Sequence, residues 1–467
     1  MSNQGNTAWT FSIKNLGNLE EGKIEVKPLT LLCGPNNTGK TWVMYTLYGF
    51  LNNRDINNLT GVDQIVISLK ENGLWEFDLE EWLNENFKNT LKSIEKTIKH
   101  KLPSIFNSEN SLFENSVFSW EVSLKDIIER NKSEHFEFEF SLGSKQIPAF
   151  KALKEKDSHI ISMTLIKDLP KEILSDVISS LIYDYLLGKN AQDQTAFLIP
   201  AERNGLHLFY RELSSRRTAL LHHASRDELD LHLLLKDVLG SKYAKPIADY
   251  IDWLNDLTNI KKGAEKTKYH DLAEEVKKLI GGKYNIDAEG NITFVPKKKR
   301  GGPTAPKMDL HLSSSTAKSL FGLWFYLEYQ AKENSILMID EPELNLHPSN
   351  QRLVARLIAK MVNKGLKIVI STHSDYFVRE LNSLIMLGEN NGNQVVKNQI
   401  LKKYSIDNES LLTKDQIGAY VFECGLLKSM EVNQEGIIAT TFDEQINLLN
   451  DSSDDIYYSY VLGEGSE

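Results

Sequence analysis

Only two cysteines, Cys33 and Cys424, occur in the 467 residues, which excludes both a disulfide framework and a thiolate metal cage. Cys33 falls on an apolar run and reads as plain packing. Long hydrophobic stretches are missing too: no segment reaches the roughly 18–20 uninterrupted apolar residues a membrane-spanning helix needs, and the polar N-terminus has no signal-peptide core. The expectation is a cytoplasmic protein without membrane association. Basic excess is absent, because 54 Lys+Arg stand against 64 Asp+Glu for a formal charge of −10. That removes an overall electrostatic footprint for nucleic acid and leaves only a local patch open. Sustained heptads are lacking, so a long coiled-coil rod is excluded. His207, His222 and His223 have no carboxylate or cysteine at ligand spacing and read as packed or solvated helix residues.

What the chain does have is a glycine-bearing loop in a telling context. The apolar run from Lys27 to Cys33 reads as a buried strand, and Trp42 to Leu51 reads as a helix. Between them lie Gly34, Pro35, Asn36, Asn37, Thr38, Gly39, Lys40 and Thr41. The glycines let backbone N–H groups turn toward an anion at a helix N-terminus. Lys40 is then placed for β- and γ-phosphates and Thr41 for Mg²⁺, which makes ATP and Mg²⁺ the expected ligands.

A second apolar strand, Ser335 to Ile339, ends in Asp340-Glu341-Pro342-Glu343, 300 residues after Lys40 (340 − 40). Asp340 is placed to bind the metal shell, and Glu341 to orient and deprotonate an attacking water. Acidic residues also cap helices that follow strands, so a structural role stands beside the chemical one. Leu344-Asn345-Leu346-His347-Pro348, a helix from about Ser349 to Asn363, and a strand from Leu366 ending in Ser371-Thr372-His373-Ser374 follow. His373 at that strand end can contact a γ-phosphate; satisfaction by backbone groups is its alternative. Ser313, Ser314 and Ser315 open an apolar helix that continues through Ser319 to Tyr329, where they can cap it, meet a phosphate, or do both.

Together these segments resemble the ATP-binding cassette head shared by transporters, SMC-type chromosome proteins and OLD-type antiviral ATPases. The strings Asp340 to Pro348 and Ser371 to Asp375, with Phe11-Ser12-Ile13-Lys14-Asn15-Leu16 leading into the phosphate loop, favour the OLD-type branch. The resemblance implies that the serine cluster is the signature motif, contacting the γ-phosphate of ATP held by a second subunit of a homo-oligomer. It also places His347 and Pro348 at the D-loop and makes His373 the switch histidine. Ser315 departs from the pattern, since many relatives carry glycine there.

The fold class expected is α/β, an ATP-binding-cassette-type head with a mixed sheet, an antiparallel β lobe and a short helical insertion. The boundaries expected are 1–203 for the first lobe, 204–285 for the insertion and 286–467 for the second lobe. Strands are expected at Gln64–Ser68 and His135–Phe140, a helix near Leu79–Lys101, another near Pro170–Leu187, and a strand at Thr195–Pro200. The Pro200-Ala201-Glu202-Arg203 turn resembles one in related ATPases, with Arg203 either facing the nucleotide or lobe junction or making a surface salt bridge. Strands at Asn291–Val295 and Lys307–Leu312 flank Lys297-Lys298-Lys299-Arg300, a solvated loop or a contact for nucleic acid or an acidic partner. After His373, 94 residues remain (467 − 373), with strands expected around Leu411–Ala419 and Gly436–Phe442 and a tail helix from Asp443.

OLD-type proteins often carry a Toprim nuclease, which needs a Glu and an Asp-x-Asp at strand ends. Asp451, Asp454 and Asp455 read as a polar turn, so a nuclease is expected on a separate polypeptide. The arrangement resembles the ATPase subunit of two-gene antiphage systems of the PARIS type, and secondarily the Septu type. This implies a separate effector, a Toprim-like nuclease among the options, and a phage-encoded trigger. A DNA repair or DNA-tethering ATPase and an ATP-sensing scaffold with little hydrolysis are the alternatives.

Overall fold

The computed structural model describes residues 9–52, 59, 61–132, 135–143, 147–188, 196–224, 243–298, 306–389, 392–438, 448 and 450–461. The chain opens with a hairpin of β1 (Trp9–Leu16) and β2 (Leu19–Val26). Gly17 sits at the turn with φ +58, and a Cβ there would fall 2.4 Å from the Trp42 indole. A side chain at that position would push the hairpin off the helix that follows the phosphate loop.

All five residues of β3 (Leu29–Cys33) are buried, as a strand covered on both faces must be. A small antiparallel lobe comes next. Its four-stranded sheet has the order β4 (Leu74–Asp78), β8 (Ile160–Leu165), β7 (Ile147–Lys154), β6 (Phe136–Leu142), while β5 (Val117–Glu121) leaves it to pair with β1. The remaining strands are β9 (Ala196–Ile199), β10 (Gly282–Ile286), β11 (Ile292–Pro296), β12 (Met308–Asp309), β13 (Ile336–Asp340), β14 (Lys367–Thr372), β15 (Ile417–Glu423), β16 (Leu426–Ser429), β17 (Val432–Asn433) and β18 (Gly436–Ile437). Nine strands form the main sheet in the order β5-β1-β2-β16-β15-β3-β14-β13-β9. It is a mixed sheet, with β15, β3, β14, β13 and β9 mutually parallel.

Strand alternation divides the core between two faces. Leu32, Met338, Val369 and Phe422 join one apolar cluster with Phe11, Phe50 and Leu181. Leu31, Ile339, Ile370 and Val421 face the other cluster, with Tyr250, Phe321 and Phe325. Strands from both ends of the chain therefore build one sheet, and that sheet sets the spacing of the loops at its carboxyl edge. The fold is the mixed α/β architecture expected, with its antiparallel lobe and helical segments at Arg203–Ala224, Lys245–Asn255, Leu257–Gly263 and His270–Leu279.

Several local expectations need correction. Gln64–Ser68 belongs to the helix Val62–Asn72, because Val62, Ile65, Val66 and Leu69 bury one helical stripe and the alternation seen there is incidental. The strand expected from Leu411 begins only at Ile417; before it Thr413 and Gln416 form a capping box on a 3₁₀ turn. Lys307–Leu312 is strand only at Met308–Asp309 and then turns 3₁₀. The Gly436–Phe442 strand is β18, ending at Ile437; residues 439–447 lie outside the described residues. Asp451, Asp454 and Asp455 are helical, not a turn. The Lys297–Arg300 loop is described only to Lys298, and the side chains of His222 and His223 lie outside the described residues. Among the described residues no helix is long and apolar enough to cross a membrane.

Candidate functional site

At the carboxyl end of β3 the chain needs backbone that side-chain-bearing residues rarely adopt. Gly34 has φ +137 and would place a Cβ 2.9 Å from the Phe422 carbonyl oxygen, so only glycine lets the loop lie against β15. Asn37 at φ 63 and Gly39 at φ +112 complete the turn into the helix Lys40–Leu51. That helix has no side-chain N-cap bond and no acidic residue in its first turn, which leaves its leading N–H groups and dipole to an anion.

Lys40 is 6 % exposed and donates from Nζ to the carbonyls of Gly34 (2.8 Å) and Pro35 (2.6 Å). Burial pushes its pKa down, opposed by the nearby Glu341, Asp340, Cys33 and Glu343. Its ammonium is thus parked on the loop it would serve, one short side-chain movement from an anion cradled there. Thr38 donates to the Pro35 carbonyl (2.8 Å) and Asn18 to the Asn37 carbonyl (2.8 Å), bracing the loop from both sides.

Two strands away, Asp340 ends β13 almost fully buried. The Thr41 hydroxyl donates to its Oδ2 at 3.4 Å, a contact that spans 299 residues of sequence. The Ser371 hydroxyl donates to Oδ1. Burial raises the Asp340 pKa, with the Ser371 hydrogen bond acting against it. Thr41 Oγ1 and Asp340 Oδ2 are hard oxygen donors facing one another, and Mg²⁺ takes such ligands.

Glu341 follows at φ 49, in the left-handed region that a residue with a Cβ enters only at a cost. Its amide N–H is held by Ser371 Oγ (3.0 Å) and its carbonyl by Arg203 (2.6 Å), so both flanking peptides are fixed while the carboxylate stays partly open. His373 Nδ1 lies 3.3 Å from Glu341 Oε1 and 3.7 Å from Glu343 Oε1.

Arg203 is not a surface residue. It is 1 % exposed, and its guanidinium donates to the carbonyls of Pro200, Asp340, Glu341 and Ser319 and to the Ser319 hydroxyl, at 2.6–3.2 Å. Burial lowers its pKa against the opposing charges of Tyr250, Glu343, Asp340 and Glu341. The surface ion pair entertained from the sequence is thereby replaced by a strut joining the end of β9, the acidic turn and the helix Ser315–Tyr329.

The serine cluster occupies a separate place. Ser314 caps the helix Ser315–Tyr329 by accepting from the Ala317 N–H at 3.2 Å, and Ser313 donates to the Leu310 carbonyl at 2.6 Å. Among the described residues none of Ser313, Ser314 and Ser315 hydrogen-bonds to the phosphate loop of its own chain. Their helix does reach the turn after Glu343: Ser319 donates to the Leu344 carbonyl at 3.1 Å, and Asn350 to Thr316 at 3.4 Å. His347 caps the next helix, Pro348–Asn363, accepting from the Ser349 N–H at 3.3 Å.

Three contributors were harder to see in sequence. Glu343 is one more carboxylate in an acidic string, Ser371 stands in the approach to His373, and Phe422 comes from a segment with no motif. His207 is buried as a packed residue, between the Lys318 carbonyl (2.9 Å) and the Tyr250 hydroxyl (2.7 Å), and burial pushes its pKa down to about 3. A second acidic and histidine cluster, His270, Glu274 and Glu328, is already served by cations: Lys277 donates to Glu274 at 2.6 Å, and Lys266 lies 3.0 Å from His270 Nε2.

A family model described as an AAA ATPase domain matches residues 10–378. The chain belongs to that family. The solved structures that the chain matches include SMC heads, at low similarity. One from Pyrococcus furiosus, an Smc head with an extended coiled coil bound to the C-terminal domain of ScpA, is 12 % identical, with 96 % of this chain and 99 % of that chain covered and a TM-score of 0.34. The SMC head domain from Thermotoga maritima is 10 % identical over 91 % of this chain and 99 % of that one, with a TM-score of 0.30. A search of curated proteins gave no match. The family match covers the phosphate loop, the serine cluster and the acidic strand and ends just past His373.

Proposed function

We propose that this AAA ATPase domain binds ATP with Mg²⁺ and hydrolyses it to ADP and phosphate at a site completed by a second copy of the chain. The observation that carries the reading is the meeting of Thr41 with Asp340 across the sheet, with Lys40, Glu341 and His373 at the same edge. Backbone N–H groups of Asn36 to Thr41 and the helix N-terminus cradle the phosphates, and Lys40 leaves the Gly34 and Pro35 carbonyls for the β- and γ-phosphates. Thr41 and Asp340 would hold the Mg²⁺, which when bound would neutralise phosphate charge. Glu341 orients the attacking water and accepts its proton, and His373 contacts the γ-phosphate. The serines 313–315, which among the described residues make no hydrogen bond to their own phosphate loop, serve the ATP of the partner copy.

In the cell we read the ATPase as the ATP-gated half of a two-part antiphage system, holding a separate effector, a Toprim-like nuclease among the options, until a phage-encoded trigger releases it. This part rests on the resemblance of the sequence strings to OLD-type and PARIS-type ATPases. Phosphate release by the purified chain tests the chemistry. Mixing a Lys40→Ala chain with a Ser313→Ala, Ser315→Ala chain tests the sharing, because a mixed pair holds one intact composite site and should regain part of the activity. Mixed oligomers with no regained turnover would show that each chain works alone. Purification from native cells should bring down the effector, and recovery of the ATPase without any stoichiometric partner would count against the two-part reading.

A further inference from the structure

Glu343 is a carboxylate that the proposed chemistry leaves without a task. It is 3 % exposed, yet among the described residues only one of its oxygens is hydrogen-bonded: Oε1 accepts from the Thr372 hydroxyl at 2.7 Å and from the His373 backbone N–H at 3.0 Å, whereas Oε2 is buried with no partner there. A buried acceptor without a donor is destabilising, more so when it carries charge, so the position must return something that offsets it. Its contacts indicate what. They are the last residue of β14 and the amide of the residue that follows, and the same Oε1 lies 3.7 Å from His373 Nδ1 on the side where Glu341 stands at 3.3 Å.

From this, resting on the ATPase reading above, we propose that Glu343 is the positioning residue for His373. Oε1 ties the end of β14 to the turn after Glu341 through a hydroxyl and an amide. This fixes the backbone from which the imidazole projects, and it keeps Nδ1 toward the two carboxylates so that Nε2 points away from them. Glu343 itself touches no reacting atom. Because Pro342 separates it from Glu341, the acidic turn carries the base on one side and the anchor of the histidine on the other, so the two move as a unit.

The test compares Glu343→Ala, Glu343→Gln and Thr372→Val by steady-state ATP turnover, and by hydrogen–deuterium exchange of the segment 371–374 without nucleotide. Glu343→Ala should lower kcat by about 10–100-fold, the scale of a small misplacement of a reacting group, with KM changed less than about threefold. The segment should then exchange faster. Glu343→Gln keeps an acceptor for both donors and should recover most of the turnover and the protection; Thr372→Val, which leaves the His373 amide bond intact, should fall between. Wild-type kcat and exchange in Glu343→Ala would overturn the proposal, and so would a Gln variant as impaired as the Ala variant. If Glu343→Ala does not fold, the Gln and Val variants decide by the same criteria. A wild-type chain that releases no phosphate would defeat the ATPase reading, and the exchange measurement would still decide whether Glu343 anchors His373.

Discussion

Replacing Arg203 with Met keeps most of the side-chain volume and removes every donor it provides. The carbonyls of Pro200, Asp340, Glu341 and Ser319 then lose this guanidinium at the centre of the molecule. Each unsatisfied buried acceptor costs about 1–3 kcal/mol, but such terms are not additive and water or local relaxation recovers part of them. Removal of the buried charge with its desolvation cost works in the opposite direction. We therefore expect a net destabilisation of about 3 kcal/mol, a large fraction of the 5–15 kcal/mol typical of a folded domain. Chemical denaturation should show it as a lower midpoint at unchanged slope. Catalysis should suffer beyond stability, because the Arg203 bond to the Glu341 carbonyl supports a residue at φ 49. Without it Glu341 can relax toward a right-handed backbone, moving its carboxylate off the water. Turnover measured well below the unfolding midpoint should fall by about 10–100-fold while ATP still binds. Arg203→Lys should rescue little, since one ammonium cannot reach acceptors on three separate segments. A folded Arg203→Met protein with wild-type midpoint and wild-type turnover would refute the assignment of Arg203 as a strut.

Lys40→Ala removes the ammonium that is held beside the Gly34 and Pro35 carbonyls; charge-assisted hydrogen bonds are about twice as strong as neutral ones, so ATP affinity and turnover should both fail in a folded protein, and near-normal values would unseat the phosphate-loop assignment. Glu341→Gln preserves shape but removes the base, so ATP should bind and the chemical step should slow by roughly 10²–10⁴-fold; wild-type hydrolysis would mean that the base lies elsewhere. Cys33 is fully buried, and burial, aided by Glu343, pushes its thiol up to about 12, whereas Cys424 is exposed. A maleimide should therefore modify one thiol on the native protein at neutral pH and two after unfolding, and rapid native labelling of Cys33 would contradict its place in β3.

The segments that meet at the candidate site are legible in the sequence because each sits at a strand end marked by a change in local pattern. The apolar run Leu29–Cys33 breaks at Gly34, Ile336–Ile339 breaks at Asp340, and Ile368–Ile370 breaks at Ser371, so strand, turn and polar cluster could be read together. The strand misassigned at Gln64–Ser68 shows the opposite case, a short apolar stretch in which helix and strand periods both fit until neighbours choose. Arg203 and Glu343 are visible as residues but not as roles, since main-chain groups dominate the partners of Arg203 and supply one of the two donors to Glu343. Arg203 binds carbonyls of Ser319 and Asp340, and Glu343 binds an amide at His373; no residue type in those positions encodes the contact. Phe422 lies under the phosphate loop for the same reason, placed by the register of β15 on β3 and not by any motif.

That register bears on how an ATP cycle can move this molecule. Lys40 and Thr41 follow β3, His373 follows β14, and Asp340 ends β13, and these three strands are adjacent and parallel in one sheet. Their relative positions are set by backbone ladders buried on both faces, so opening the cleft between Thr41 and Asp340 would mean tearing the centre of the core. On the proposed reading, the movable component is therefore not the pairing of phosphate loop and acidic turn but the approach of the serine cluster, which lies outside that edge in its own chain. The links from Ser319 to Arg203 and to the Leu344 carbonyl run from the serine helix back to the turn that holds Glu341. A partner's nucleotide pressing on Ser313–Ser315 would then be felt at the catalytic carboxylate of the same chain, making hydrolysis in one site sensitive to occupancy of the other. Ser319→Ala removes both hydroxyl links, to Arg203 and to the Leu344 carbonyl, and keeps only the Arg203 bond to the Ser319 carbonyl, while leaving Glu341, Lys40 and the serine cluster in place. It should reduce the cooperativity of ATP turnover more than the maximal rate. An unchanged Hill coefficient in a Ser319→Ala protein whose wild-type parent is cooperative would show that the two sites communicate by another route.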